Sequence, residues 1–191
     1  MPYLSSLKDG DDSIAVFAQY PQVYAPFVKF AENVFRERSS LPERERQIIY
    51  AYVSKLNGCE YCFGGHNALA ESYGAPADLV EQLVSDIDRA PVDDSLRALV
   101  RYAKKLTRTP HRINDRDARS VLAAGWDEDA LHMLVLVCAM ANFMNRLADG
   151  VGLVADPDTY EQRVRNAREV GYSAIFERMV AARSHATGGS E

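Results

Sequence analysis

Cysteine is scarce. The chain of 191 residues holds 3, a number too small and too odd for a disulfide scaffold. Excess positive charge is absent too: 22 basic against 27 acidic residues leave a net charge of −5, which disfavours nucleic acid or anionic lipid as a partner held by charge. The segment Met1–Asp12 shows neither the basic start nor the apolar run of a secretory signal. The most apolar stretch, Ala130–Met144, is too short to span a bilayer and carries His132 and Asn142. These absences lead us to expect a soluble cytoplasmic protein with no nucleic-acid or membrane partner. Strand-period alternation is missing as well, whereas helical spacing recurs along the chain.

With 47% hydrophobic and 26% charged residues, the chain suits one globular domain, taken as 1–191 with a core over about 21–182 and a frayed tail over 184–191. Pro21–Arg38 reads as a helix opened by its proline. Ser39-Ser40-Leu41-Pro42-Glu43 reads as a serine-capped start of a second helix that runs to Asn57 and stops at Gly58. A third begins near Cys59 and ends at Gly74, and Ala75-Pro76 starts a fourth. Further helices are expected over Asp93–Thr107 and Asp115–Ala124. A long apolar helix should then run from Asp127 and be closed by Gly150 and Gly152. A last amphipathic stretch should run from Asp156-Pro157 to about Ala182. The fold class is all-α, a compact multi-helix bundle.

The chemistry concentrates in Leu56-Asn57-Gly58-Cys59-Glu60-Tyr61-Cys62-Phe63-Gly64-Gly65-His66. The spacing C-x-x-C-x-x-x-H places Cys59, Cys62 and His66 on one face of a helix. Gly58 ends the preceding helix, so both cysteines fall in the first turn of the next. Unpaired N–H groups and the positive end of the dipole favour a thiolate there. His66 lies one turn beyond Cys62 and can move its proton. A second thiol three residues away can close a disulfide on a sulfenic acid. Two core cysteines or a zinc site are the rival readings. A structural zinc site needs a fourth ligand, and only His111, His132, His185, Cys138 or a carboxylate could supply it. Cys138 in the apolar helix and Trp126 at its start read as packing residues. Gly64-Gly65 in mid-helix costs about 1 kcal/mol per glycine against alanine. Either the pair opens space for a neighbouring helix or substrate, or it is an irregularity without function.

Leu41-Pro42-Glu43-Arg44-Glu45-Arg46, then Leu56–Cys62, then His66, resemble the signature of alkylhydroperoxidase D-like proteins in the carboxymuconolactone decarboxylase superfamily. Asn142–Gly150 resembles the second half of its peroxidase-related branch. The resemblance implies an all-α fold and a homo-oligomer (dimer, trimer or hexamer). It implies peroxide reduction in which Cys62 attacks and Cys59 resolves, an order that the helix physics alone leaves open. The family pattern has a glutamate twelve residues before the first cysteine; here that position is Gln47, which can orient His66 but cannot take its proton. The decarboxylase branch lacks the dithiol, so Cys59 and Cys62 argue against that reaction.

The expected function is therefore a dithiol peroxidase acting on hydrogen peroxide or organic hydroperoxides. Its catalytic residues would be Cys62, Cys59, His66 and Gln47. No metal or other cofactor is expected, and an external dithiol would supply electrons. A thiol–disulfide oxidoreductase or redox sensor, or a non-enzymatic oligomeric binding or holdase protein, are the alternatives.

Overall fold

The computed structural model describes residues 1–188, and these contain helices and no strand. In chain order the helices are α1 (Ser13–Phe17), α2 (Pro21–Arg36), α3 (Glu43–Asn57), α4 (Glu60–Ser72) and α5 (Leu79–Ser85). There follow α6 (Asp94–Arg108), α7 (Asp115–Ala123), α8 (Glu128–Val151), α9 (Tyr160–Arg165) and α10 (Tyr172–Gly188).

Helix α3 is the hub. Ile48, Ile49, Ala51, Tyr52 and Val53 are wholly buried, because α4, α5, α6 and α8 all pack around it. The polar residues on its inward turns are there to tie elements together. Buried Arg46 donates to the carbonyl of Leu41 at 2.7 Å and to those of Val34 and Glu37 at 2.9 and 3.0 Å. One guanidinium thereby satisfies the backbone at the end of α2 and in the turn into α3, which accounts for the arginine of the Leu41–Arg46 motif.

Helix α8 is long and apolar enough to cross a membrane by length and composition. Here its Leu134, Val137, Cys138, Ala141 and Ala148 are buried in the core, and the helix packs on α3 and α6. Burial pushes the Cys138 thiol up, so it stays protonated as a packing group.

Several boundaries differ from the sequence expectation. Pro42, not a serine, occupies the N-cap of α3. Ser39 and Ser40 turn instead to the carboxylates of Asp129 and Asp127 at the start of α8, where charged acceptors bind a hydroxyl more strongly than a backbone amide offers. Helix α5 begins at Leu79, after Pro76 has closed a turn with the Leu79 amide. Gly150 lies inside α8, and only Gly152, at φ +75°, closes it. The stretch after Asp156 is not one helix. A turn of 3-10 helix leads into α9, a wide turn over Asn166–Val170 follows, and Gly171 at φ +92° redirects the chain into α10. Glu32 presses on that bend, accepting the Ser173 amide at 3.1 Å. Helix α10 continues through Gly188 where a frayed tail was expected, and the rest of that tail lies outside the described residues. Leu7, Ile14, Val16 and Phe17 extend the single hydrophobic core ahead of residue 21.

Candidate active site

Helix α3 ends where its geometry forces it to. Gly58 adopts φ +78°, and the Cys59 amide turns back to the Ser54 carbonyl at 3.0 Å. The reversal leaves Cys59 as the N-cap of α4, with the Cys59 carbonyl accepting the first helical bond from Phe63 at 3.0 Å. Cys62 is the third residue of the new helix, among amides that have no partner within it.

Both cysteines are free thiols and both are buried. Their environments differ. The Cys59 thiol donates to the Cys62 sulfur, which lowers the Cys62 pKa; Asn145 and the positive charge of Arg163 lower it further, against burial and the charge of Asp149. The same hydrogen bond, then burial, then contact with Asp149 hold Cys59 firmly protonated. The direction of these shifts favours Cys62 as the more acidic of the two thiols.

Behind the cysteines, Gln47 Oε1 lies 2.6 Å from His66 Nδ1. An amide oxygen only accepts, so Nδ1 carries the proton and Nε2 keeps its lone pair. The ring stacks on Tyr50, with centroids 3.5 Å apart, and tilts against Phe35 at 5.3 Å. Burial, and then Arg163, push its pKa down to about 3, so the imidazole is neutral at ordinary pH. One side of this half-buried residue borders a cavity.

That cavity, of about 120 Å³, is lined by Cys62, His66, Tyr50, Tyr61, Arg163 and Tyr172 among others. Cys59 is not in its wall. Part of the wall comes from α9, and Gly64 and Gly65 are what let α9 approach. A Cβ on Gly64 would sit 1.8 Å from the Tyr160 hydroxyl, and one on Gly65 would sit 3.3 Å from Arg163 Nη1. The mid-helix glycine pair is therefore a seat for a neighbouring helix.

The structure brings together all four residues singled out from the sequence: Cys59, Cys62, His66 and Gln47. His111, His132, His185 and Cys138 do not join them, and among the described residues no group of three or more His, Cys, Asp and Glu side chains stands close enough to hold a metal ion. Sequence reasoning missed four neighbours. Tyr50 and Arg163 line the cavity, Asp149 touches Cys59, and Asn145 reaches Cys62. Asn145 had a signal, since it lies in the Asn142–Gly150 motif. It accepts from Asn57 at 2.8 Å and donates to Ser54 at 2.9 Å, which locks α8 onto the α3–α4 junction. Arg163 had none.

Architecture and site define a class: all-α proteins of the alkylhydroperoxidase D-like fold, here with one of two adjacent thiols bordering a cavity. Within it, residues 21–105 of this chain match the family model described as carboxymuconolactone decarboxylase family, a segment that holds α2 through most of α6 and so both cysteines, Gln47 and His66. Solved structures agree in fold. An uncharacterized peroxidase-related protein from Silicibacter sp. TM1040 is similar at 24% identity and a TM-score of 0.72, covering 78% of each chain. A second such protein, from Ralstonia eutropha JMP134 and described as an alkylhydroperoxidase core, shows 20% identity and a TM-score of 0.71, covering 78% of this chain and 79% of its own. The debrominase Bmp8, solved with 2,3,4-tribromopyrrole, shows 15% identity and a TM-score of 0.62, covering 79% of this chain and 81% of its own. A comparison with curated proteins finds no match.

Proposed function

We propose that this chain is a dithiol peroxidase. The observation that carries the reading is geometric: of two adjacent free thiols, Cys62 borders the cavity together with His66 and Cys59 does not, and the lowered pKa of Cys62 points the same way. The Cys62 thiolate attacks one oxygen of a hydroperoxide. An S–O bond forms as the O–O bond breaks, sulfur loses two electrons and the departing alkoxide gains them. The alkoxide takes a proton from a water that His66 Nε2 can hold by accepting a hydrogen bond, and the hydroxide left behind is neutralised by the proton that Cys62 gave to solvent on ionising. The Cys59 thiol then attacks the sulfenic acid. A disulfide forms, and water leaves with the Cys59 proton. An external dithiol restores both thiols by exchange.

The similar structures from Silicibacter and Ralstonia are named peroxidase-related, which supports the reading. The debrominase has the same fold, so the fold alone does not select peroxide and the argument rests on the site. The test is to treat reduced protein with one equivalent of cumene hydroperoxide and follow intact mass. We expect rapid loss of two hydrogens, mapped to a Cys59–Cys62 disulfide. Thiols that stay reduced for hours would overturn the proposal.

Gln47 favours a second reading. It fixes the His66 tautomer but offers no carboxylate to share a proton. A site so built suits thiol–disulfide exchange, in which an incoming disulfide rather than a peroxide oxidises Cys62. Oxidation of the pair by a model disulfide, with peroxide inert, selects this reading. We further propose that the chain forms a homo-oligomer. Phe143 and Phe30 are large apolar side chains left exposed on α8 and α2, and light scattering of the reduced protein tests it.

A further inference from the structure

The cavity wall carries a guanidinium whose reach extends beyond the thiol. Arg163 enters it from α9, with Cζ 4.4 Å from the centroid of the Tyr61 ring. Tyr61 is itself fixed, its hydroxyl accepting the Ser13 amide at 2.8 Å. Among the described residues no carboxylate lies within ion-pair distance of Arg163, whereas Arg165 on the same helix is paired with Glu161. The acid that lines the same cavity, Asp12, is engaged elsewhere: its carboxylate accepts the Ala15 amide at 3.0 Å and caps α1. Its charge acts on Cys62, whose pKa it lowers, but it holds no carboxylate of its own, and a guanidinium is the side chain best shaped to take one from a ligand.

An apolar space adjoins the cavity. Of about 80 Å³, it shares Tyr50, His66 and Met144 with the first and is closed by Phe17, Phe27 and Phe35. Charge therefore sits at the Cys62 end and grease beyond His66. Water and hydrogen peroxide need neither; an amphipathic organic anion uses both.

We propose that Arg163 is an anion subsite, and that the pocket takes an organic molecule with a carboxylate on Arg163 and an apolar body in the aromatic cavity beyond His66. Resting on the peroxidase reading, the substrate class is a hydroperoxy acid whose peroxide and carboxylate lie toward the same end.

Two arms test this, and they separate the subsite from the peroxidase. In the first, 3-phenylpropanoate and 3-phenylpropanamide compete with alkylation of Cys62 in the reduced full chain. We expect the acid to protect about tenfold better than the amide, the difference that one charge-assisted pair of about 1.4 kcal/mol gives. R163Q should bring the ratio to near one, and R163K, which keeps the charge, should restore part of it. Equal protection by acid and amide, or an acid preference that survives R163Q, overturns the subsite. In the second arm, a hydroperoxy acid and its methyl ester oxidise Cys62 in single turnover. The acid should half-saturate at about tenfold lower concentration in the unmodified protein and lose that advantage in R163Q. Oxidation by both without preference removes the subsite and leaves the peroxidase standing. Preferential protection by the acid with no oxidation by either peroxide removes the peroxidase and leaves the subsite.

Discussion

Helices α4 and α9 face one another across the pocket and do different work there. Helix α4 carries the proposed reacting groups, Cys62 and His66, with Cys59 at its N-cap. Helix α9 carries no reacting group; it brings Tyr160 against Gly64 and Arg163 toward Cys62 and His66. The first is inside the segment that matches the family model and the second is outside it. On the two proposals above, reaction and selection are supplied by different parts of the chain. Changes in α4 should alter whether chemistry happens, and changes in α9 should alter which molecule undergoes it.

The largest effect expected lies at the cysteines. C62S should abolish peroxide-driven loss of thiols altogether, measured by intact mass. C59A should leave the first oxidation and stop it at a sulfenic acid, read as a gain of one oxygen with no disulfide. The same variant should raise the pH at which Cys62 becomes alkylatable, because the thiol donor that lowers its pKa has gone. If C59A and C62S behave alike, the asymmetry between the two thiols does not govern the reaction.

His66 should come next. H66N keeps a polar group but removes the ring nitrogen proposed to hold the proton-donating water, and Cys62 oxidation should slow by about 10²-fold, the low end of what a positioned acid–base group contributes. The same residue makes a stability prediction. Its folded pKa of about 3 lies below the unfolded value, so the unfolded chain binds more protons between that pH and about 6.5. Stability is complete above the unfolded pKa and declines as pH falls through this window, by up to about 1.4 kcal/mol per pH unit. Urea unfolding at pH 7, 6 and 5 should show the slope, and H66N should flatten it.

Much of this site could be read from local spacing. Cys59, Cys62 and His66 share a helix face, Gly58 ends the helix before them, and Gln47 sits two helical positions from Ile49 on a neighbouring element that the same signature contains. The hidden part depends on contacts distant in sequence. Nothing about the Tyr160–Arg165 stretch marks it as a pocket wall, and α1 is only five residues long. An arginine in an exposed-looking amphipathic run has the same local pattern whether it faces water or a cavity. The helix class was legible because periodicity is local. The break at Gly171 was not, because it answers to Glu32, far back on α2.

Gly64 and Gly65 sharpen the comparison most finely, since adjacent residues should give opposite signs. Replacing a mid-helix glycine by alanine gains about 1 kcal/mol of helix propensity in either place. At Gly64 the new methyl meets the Tyr160 ring, with Cζ 2.3 Å away, so the ring must leave its seat. Overpacking of that kind costs about 1–3 kcal/mol, and G64A should be destabilised by roughly 1 kcal/mol net in urea. At Gly65 the obstacle is Arg163 Nη1 at 3.3 Å, the end of a flexible side chain that can give way, so G65A should be neutral or slightly more stable. Placing G64A in a Y160A background removes the obstacle and should turn its effect to a gain of about 1 kcal/mol. A G64A variant indistinguishable from G65A, with Tyr160 intact, would mean that α9 does not rest on α4 in solution, and the selecting half of the pocket would have to be sought elsewhere.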